Sequence, residues 1–303
     1  MEIAAHHLPV DALAQSSCWE ALDGVVCINR DRRIDRWEQF QQAMGSVIPL
    51  DKIHRLSAVV GVELPGFGHA PWFSDRTGER RTYWAGVAGC MLSHAKAIKL
   101  AQQSGWRNVL IFEDDVQAKV THEGLQMMAR ALQRLRGRYL MYLGYNKPIP
   151  CGVCMEKEAG AELWRTSGVL TTHAYIVPQC MYEPLLAALP ERQEDAWAWI
   201  ARHRAVDTFY RDEVSEWSGV SIYAVLPLMF YQSGASSDLL QTTDRPGQPE
   251  YEGIPRRLGR LGNLAYHICA PLRKLKVYLN SRRTYCRAKR GGFPGFRKKR
   301  AQK

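Results

Sequence analysis

Asn108-Val109-Leu110-Ile111-Phe112-Glu113-Asp114-Asp115-Val116 is the stretch on which the reading of this chain turns. An apolar run rich in β-branched and aromatic residues stops in three consecutive carboxylates. The run has the length and composition of a buried strand. Carboxylates at its end repel one another and are costly to desolvate. A divalent cation removes both costs, because hard cations take oxygen ligands and keep positions open for phosphates. Ligands of open α/β sheets bind just beyond the carboxyl ends of the strands, where the triplet falls. Standing alone, the triplet would be explained as well by a solvated acidic turn.

The flanking sequence alternates strands with helices. Residues 24–29 predict a first buried strand, and residues 31–37 the charged start of a helix with acid near its N-terminus. A second strand is expected over 55–60. Residues 61–81, rich in Gly, Pro and charge, predict a long loop of the kind that is often functional. A helix is expected from about Gly89 to Gln103, with Met91, Ala95, Ile98 and Ala101 as its apolar stripe and Ser104-Gly105 as its end. His94 shares that face. Beyond the triplet come a basic helix near 123–136, strands at 139–144 and 171–177, a helix near 181–189 and a last strand over 220–230. The alternation predicts an α/β sheet. There is no internal repeat, no Gly-rich dinucleotide fingerprint and no Walker-type phosphate loop, which argues against dehydrogenase and kinase readings.

With 303 residues the chain exceeds the usual size of a single core, so a large domain with an appendage is expected. Charge is placed unevenly. From Gly253 onward there are sixteen Lys and Arg and no Asp or Glu, which leaves the preceding body at −5 against +11 for the whole. The boundary is accordingly set at 252/253. The eight cysteines show no disulfide framework, and Cys151-Gly152-Val153-Cys154 lacks a second pair at zinc-site distance, so a structural role is expected there. The first residues lack the basic and apolar regions of a signal peptide, and no apolar run approaches a membrane span. A reducing, cytoplasmic location is expected.

Several segments together resemble one family. Ile28-Asn29-Arg30-Asp31-Arg32-Arg33-Ile34-Asp35-Arg36 resembles the I-N-L-x-R-R-x-x-R opening of glycosyltransferase family 25, whose bacterial members build lipopolysaccharide and whose animal relatives galactosylate collagen. Gly89-Cys90-Met91-Leu92-Ser93-His94 resembles its G-C-x-x-S-H, and Leu110 to Asp115 its L-x-x-E-D-D. Tyr142-Leu143-Gly144, Thr172-His173-Ala174-Tyr175, Ala205-Val206-Asp207 and the segment from Gln232 to Asp238 match later landmarks in order. Arg30 replaces the usual Leu, and His173 stands where an aromatic or small residue is usual.

The resemblance implies a GT-A-like fold: a Rossmann-like mixed sheet flanked by helices, here with a basic, partly helical C-terminal tail. It implies a UDP-linked nucleotide-sugar donor, galactose or glucose, and inverting transfer to a lipopolysaccharide-type saccharide or glycolipid acceptor. Mn²⁺ or Mg²⁺ would neutralise the departing diphosphate. Glu113 and Asp115 have the spacing of a DxD-type motif, their side chains on one side of an extended segment. Asp115 is assigned to the metal and Glu113 to the metal shell or the ribose. Asp114 joins the donor-site candidates, with its side chain expected to turn away, onto a helix N-terminus. Inversion requires a base, for which Asp207 is the candidate; a further metal ligand and a helix cap are its other readings. Asp238 is the next carboxylate in line. Asn29, Arg33 and Arg36 are candidate nucleotide contacts, and Ser93 and His94 are candidate substrate-facing residues.

The tail interleaves Leu258, Leu261, Leu264, Ile268, Leu272, Leu275 and Leu279 with Arg and Lys, although Pro271 is expected to interrupt a single helix. A basic amphipathic stretch suits an anionic membrane surface. Nucleic acid is the weaker partner, since no known nucleic-acid module accompanies the charge. The last dozen residues read as a solubilising extension. The alternative to an enzyme is a catalytically silent GT-A-like adaptor that binds membrane or nucleic acid through this tail.

Overall fold

The computed structural model describes residues 17–73, 81–148, 152–232, 264–265 and 268–293. The strands are β1 (Gly24–Asn29), β2 (Ile53–Ser57), β3 (Asn108–Glu113), β4 (Val116–Ala118), β5 (Arg138–Gly144), β6 (Lys147–Pro148), β7 (Gly152–Glu158), β8 (Ala161–Thr166), β9 (Val169–Leu170), β10 (Ala174–Pro178), β11 (Val220–Leu226) and β12 (Phe230–Gln232). The helices are α1 (Ile34–Met44), α2 (Arg81–Gln103), α3 (His122–Arg134), α4 (Tyr182–Ala188), α5 (Ala196–His203), α6 (Val206–Asp212) and α7 (Ala270–Gly291). Eight strands form one mixed sheet in the order β2-β1-β3-β10-β5-β11-β8-β7. β1, β2, β3, β5 and β11 run parallel, and β10 and β8 run against them. The expected α/β fold with a Rossmann-like mixed sheet is what the chain adopts.

Strand periodicity divides the core between the two faces of the sheet. Val26, Ile28, Val109, Ile111, Tyr142 and Tyr175 pack under α2, α4, α5 and α6. Val25, Cys27, Leu110, Phe112, Met141 and Ile176 pack under α1 and α3. With both faces covered, the central strands read as continuous apolar runs rather than alternations.

Several boundaries differ from the sequence reading. α2 begins at Arg81, eight residues before Gly89. Gly86 and Gly89 look like breakers, yet Gly89 is where the helix meets another backbone: a Cβ there would lie 2.4 Å from Val59 O. The helix therefore takes in residues 82–88, to which the sequence reading gave no element. The strand expected over 220–230 divides into β11 and β12. The hairpin β7–β8 and the short α5 were not anticipated at all.

The C-terminal segment departs most from expectation. As expected, a single helix does not run through Pro271: helical residues at 264, 265 and 268 give way to a turn at Cys269, and Pro271 sits in the first turn of α7, where its missing N–H costs nothing. α7 is docked rather than free. Arg273 Nε bonds Glu216 Oε1 at 3.0 Å, and the Arg202 guanidinium lies 4.4 Å from the Tyr285 ring centroid. Beyond the helix, Phe293 stacks on Trp84 at 4.9 Å and meets Phe73 edge-on at 5.4 Å, while its N–H donates to Trp72 O. The 252/253 boundary, the last ten residues and Cys151 of the Cys-x-x-Cys pair fall outside the described residues. Phe293→Ala should destabilise the protein by about 2–3 kcal/mol, less than a fully buried Phe would cost. Equilibrium urea denaturation checks this, and an unchanged midpoint would show that the anchor carries no stability.

Candidate functional site

The chain leaves β1 through α1 to β2 on one side, and β3 joins β1 on the other. A crevice opens where connections leave adjacent parallel strands in opposite directions, beyond their carboxyl ends. Here it is a cavity of about 340 Å³. Ile28, Arg30, Arg32 and Arg36 supply one wall, residues 58–62 after β2 another, Gly86, Cys90, Ser93 and His94 of α2 a third, and Glu113, Asp114 and Asp115 the end of β3. A larger hollow of about 960 Å³ lies at the opposite edge, near Arg138 and Trp217 at the amino ends of β5 and β11 and under α7. Its charges are mixed, and the carboxylate triplet is not part of it.

The three carboxylates have three different surroundings. Asp114 is held by side chains rather than by a helix N-terminus. It accepts from Asn29 Nδ2 at 2.6 Å and from Arg36 Nη1 at 2.9 Å. Glu113 accepts from Thr172 Oγ1 at 3.0 Å, and its Oε1 lies 3.5 Å from His94 Nε2. Burial pushes the Glu113 carboxyl up, but His94, His173 and Thr172 together outweigh it and hold the group below its usual range. Asp115 has weaker help, from Arg36 and Gln232, and it does not prevail. Burial first, then the neighbouring Glu113 and Asp114 carboxylates, push it up to about 7. Its Oδ1 is buried with no hydrogen-bond partner among the described residues. A hard divalent ion fits this arrangement: two oxygen donors at a strand end, one of them orphaned, in a pocket whose like charges resist ionisation.

The sequence-predicted residues divide into those that face the cavity and those that frame it. His94, Glu113, Asp115 and Arg36 face it. Ser93 lines it, but its hydroxyl is committed: it donates to Gly89 O at 2.6 Å and accepts from Val59 N at 2.8 Å, tying α2 to the segment after β2. Asn29 is corrected from a nucleotide contact to a brace. Its Nδ2 serves Arg33 O and Asp114, its Oδ1 accepts twice from Arg55, and it is buried. Arg33 is likewise not in the wall; it pairs with Asp35 at 2.8 Å.

Asp207, in the first turn of α6, is also absent from the wall. Its Oδ2 accepts from Thr171 N at 3.1 Å and its Oδ1 from Thr208 N at 2.6 Å. Thr171 has φ +73°, a left-handed conformation that a β-branched residue adopts only when its surroundings hold it. Asp207 thus secures the turn that delivers Thr172 to Glu113. Next along the chain, His173 is buried, with Nδ1 on Thr171 Oγ1 and Nε2 on Phe230 O. Gly144 makes room for that ring, since a Cβ there would lie 2.5 Å from His173 Nε2. Asp238 lies outside the described residues.

Neither a known family's sequence model nor a curated protein matches the chain. Among solved structures, a mannose-1-phosphate geranyltransferase from Thermus thermophilus is similar over 66% of this chain and 73% of its own, at 10% identity and a TM-score of 0.35. A likeness that remote assigns no role to any residue of the crevice.

Sequence reasoning missed Arg30 and Arg32 as cavity residues. Arg30 was noted only as a departure from a family pattern, although its place directly after β1 is itself the signal. A residue following the first strand of a doubly wound sheet stands at the crevice mouth. Thr172 was passed over because its partner, Glu113, is 59 residues away.

Proposed function

We propose that the protein is a metal-dependent, inverting glycosyltransferase that moves a hexose from a nucleotide-sugar donor to a saccharide acceptor. The carrying observation is that one crevice is lined both by Arg30, Arg32 and Arg36 and by Glu113 and Asp115. A diphosphate needs cations around its oxygens, and an ion bridging it to the protein needs carboxylates on the other side. The family 25 resemblance, with UDP-galactose or UDP-glucose as donor, is consistent with both walls.

Glu113 and Asp115 would hold Mn²⁺ or Mg²⁺, which when bound supplies Lewis-acid neutralisation of the leaving diphosphate. Arg30 and Arg32 bind and orient the diphosphate. Arg36 does double duty, facing the cavity while fixing Asp114 at 2.9 Å. Thr172 fixes the Glu113 carboxylate. Single-step inversion needs a base on the acceptor hydroxyl. The resemblance gives that role to Asp207, while its hydrogen bonds favour positioning of the Thr171 turn. The adaptor reading has no use for a buried, orphaned carboxylate oxygen.

Arg30→Ala and Arg32→Ala should each weaken binding of UDP-galactose or UDP-glucose in Mn²⁺ by about tenfold, the value of one charge-assisted hydrogen bond. Titration calorimetry measures it; unchanged affinity in both variants would place the diphosphate elsewhere.

A glycolipid acceptor would bring the enzyme to a membrane, and α7 offers the surface. Ile268, Leu272, Leu275 and Leu279 are all more than half exposed along one stripe, flanked by Lys276, Arg282 and Arg283. We assign this stripe to an anionic bilayer, because apolar and basic groups on one helix suit the interface and the segment carries no acid to repel it. No helix among the described residues is long and apolar enough to cross a membrane. Leu272→Glu with Leu275→Glu should abolish co-sedimentation with phosphatidylglycerol vesicles, and salt should weaken wild-type binding. Retained vesicle binding by the double variant would remove the assignment.

A further inference from the structure

Cys90, His94 and Glu113 form a cluster that the transfer reaction does not require as a unit. Cys90 and His94 stand four apart on α2, so both side chains leave the same face of the helix. Glu113 meets them from the end of β3. One ligand atom from each, a sulfur, a nitrogen and an oxygen, lies within 4.8 Å of the others. His94 Nε2 and Glu113 Oε1 are 3.5 Å apart, close to the separation of about 3.3 Å between two ligands of a tetrahedral ion at about 2.0–2.1 Å.

The His94 ring points to a ligand as well. It is fully buried, and its Nε2 has no hydrogen-bond partner among the described residues. Its other nitrogen, Nδ1, lies 2.9 Å from the Tyr175 hydroxyl. When Nδ1–H donates to Tyr175, a lone pair is left on Nε2, facing the carboxylate across 3.5 Å. In that tautomer two acceptors face each other, and a cation between them satisfies both. An outer hydrogen bond that fixes the ring and the tautomer is also what a metal-bound histidine has.

We propose that Cys90, His94 and Glu113 bind a borderline-soft divalent ion, Zn²⁺ by preference, with a fourth position open to the cavity. Thiolate and imidazole select such an ion over Mg²⁺ or Mn²⁺, and three protein ligands with one open position are the arrangement of a reactive rather than a structural site. The Cys90 thiol is kept protonated by burial and by the Glu113, Asp207 and Asp115 carboxylates. Binding therefore transfers one proton from sulfur to buffer as the metal–sulfur bond forms. The same carboxylates make the pocket attractive to a cation. Glu113 is common to this site and to the Glu113–Asp115 pair, so a softer ion here competes with Mn²⁺ for the donor site. The inference goes beyond the transferase reading and does not depend on it.

The test uses Co²⁺ alone as a spectroscopic probe on the full-length protein, with Zn²⁺ as competitor. The expected result is one Co²⁺ per chain with a near-ultraviolet thiolate-to-cobalt charge-transfer band. Zn²⁺ should bleach the band, and Cys90→Ser should abolish it. Tyr175→Phe should weaken Zn²⁺ binding about 10- to 100-fold while keeping the band at saturation. Asp115→Asn should keep the band and lose Mn²⁺-dependent donor binding. No band, or a band that survives Cys90→Ser, overturns the site. A band without donor binding in wild-type protein leaves the site standing and overturns the transferase reading instead.

Discussion

Asp115→Asn is expected to inactivate the protein and, in the absence of metal, to stabilise it. Loss of transfer should reach about 100-fold or more, because the variant removes a charged ligand of the ion that would neutralise the developing charge on the leaving group. The stability effect has the opposite sign for a physical reason. In the folded chain the Asp115 carboxyl is pushed up to about 7 by burial and by Glu113 and Asp114, whereas in the unfolded chain it titrates near 4. The folded state therefore holds this proton more tightly. Folding stability is undiminished below about pH 4 and falls as pH rises through 7, by up to about 4 kcal/mol. Asparagine is neutral at every pH and removes that loss. Thermal unfolding in EDTA at pH 8 should place the variant several degrees above wild type, and the gap should narrow to about a third at pH 5 and close only near pH 4. Adding Mn²⁺ at pH 8 should raise the wild-type midpoint and leave the variant where it was. A variant less stable than wild type at pH 8 in EDTA would mean that Asp115 is satisfied in the folded chain.

Asp207 yields the second large effect, and one substitution separates its two roles. Its carboxylate oxygens accept from Thr171 N and Thr208 N, and the Thr171 turn places Thr172 on Glu113. An asparagine has a single carbonyl oxygen, so one of the two N–H groups would face an amide NH₂. Asp207→Asn is therefore expected to lower the unfolding midpoint and to weaken Mn²⁺-dependent donor binding together. Thr172→Val should reproduce the binding defect with a smaller stability loss, because it removes only the hydroxyl on Glu113. A general base predicts another pattern: donor binding as in wild type, turnover lost, and the acidic limb of the pH–rate profile gone. That pattern would return Asp207 to the chemistry.

What could be read in the sequence is what local pattern controls. The runs at 24–29, 108–113 and 139–144 are short, apolar and bounded by polar residues, and each is a central strand. The acidic triplet marked the crevice because strand ends and ligands coincide in this kind of sheet. Pairings between distant segments were not readable. Asn29 and Asp114 are 85 residues apart and meet only because β1 and β3 are neighbours. That register turns Asn29 from a ligand into a brace. The β7–β8 hairpin escaped notice because its exposed positions carry Glu and Lys, which protect an edge and blur the alternation. The early start of α2 escaped because glycine has two meanings in a helix. At Gly89 it permits contact with Val59 rather than ending the helix. The docking of α7 was not readable because the segment's charge masked Phe293, one aromatic residue that three tryptophans and Phe73 surround.

The central claim is that the crevice between β1 and β3 turns over a nucleotide sugar with the help of a carboxylate-held ion. Release of nucleoside diphosphate from a panel of nucleotide sugars, UDP-galactose and UDP-glucose first, tests it most directly. The assay is run with Mn²⁺ and with EDTA, on wild type and on Asp115→Asn. The expected result is release from at least one UDP-sugar in Mn²⁺, stimulated by a saccharide acceptor, and none above background in EDTA or with the variant. Folded wild-type protein that releases no diphosphate from any donor in Mn²⁺, or that releases it equally well in EDTA, would contradict the account.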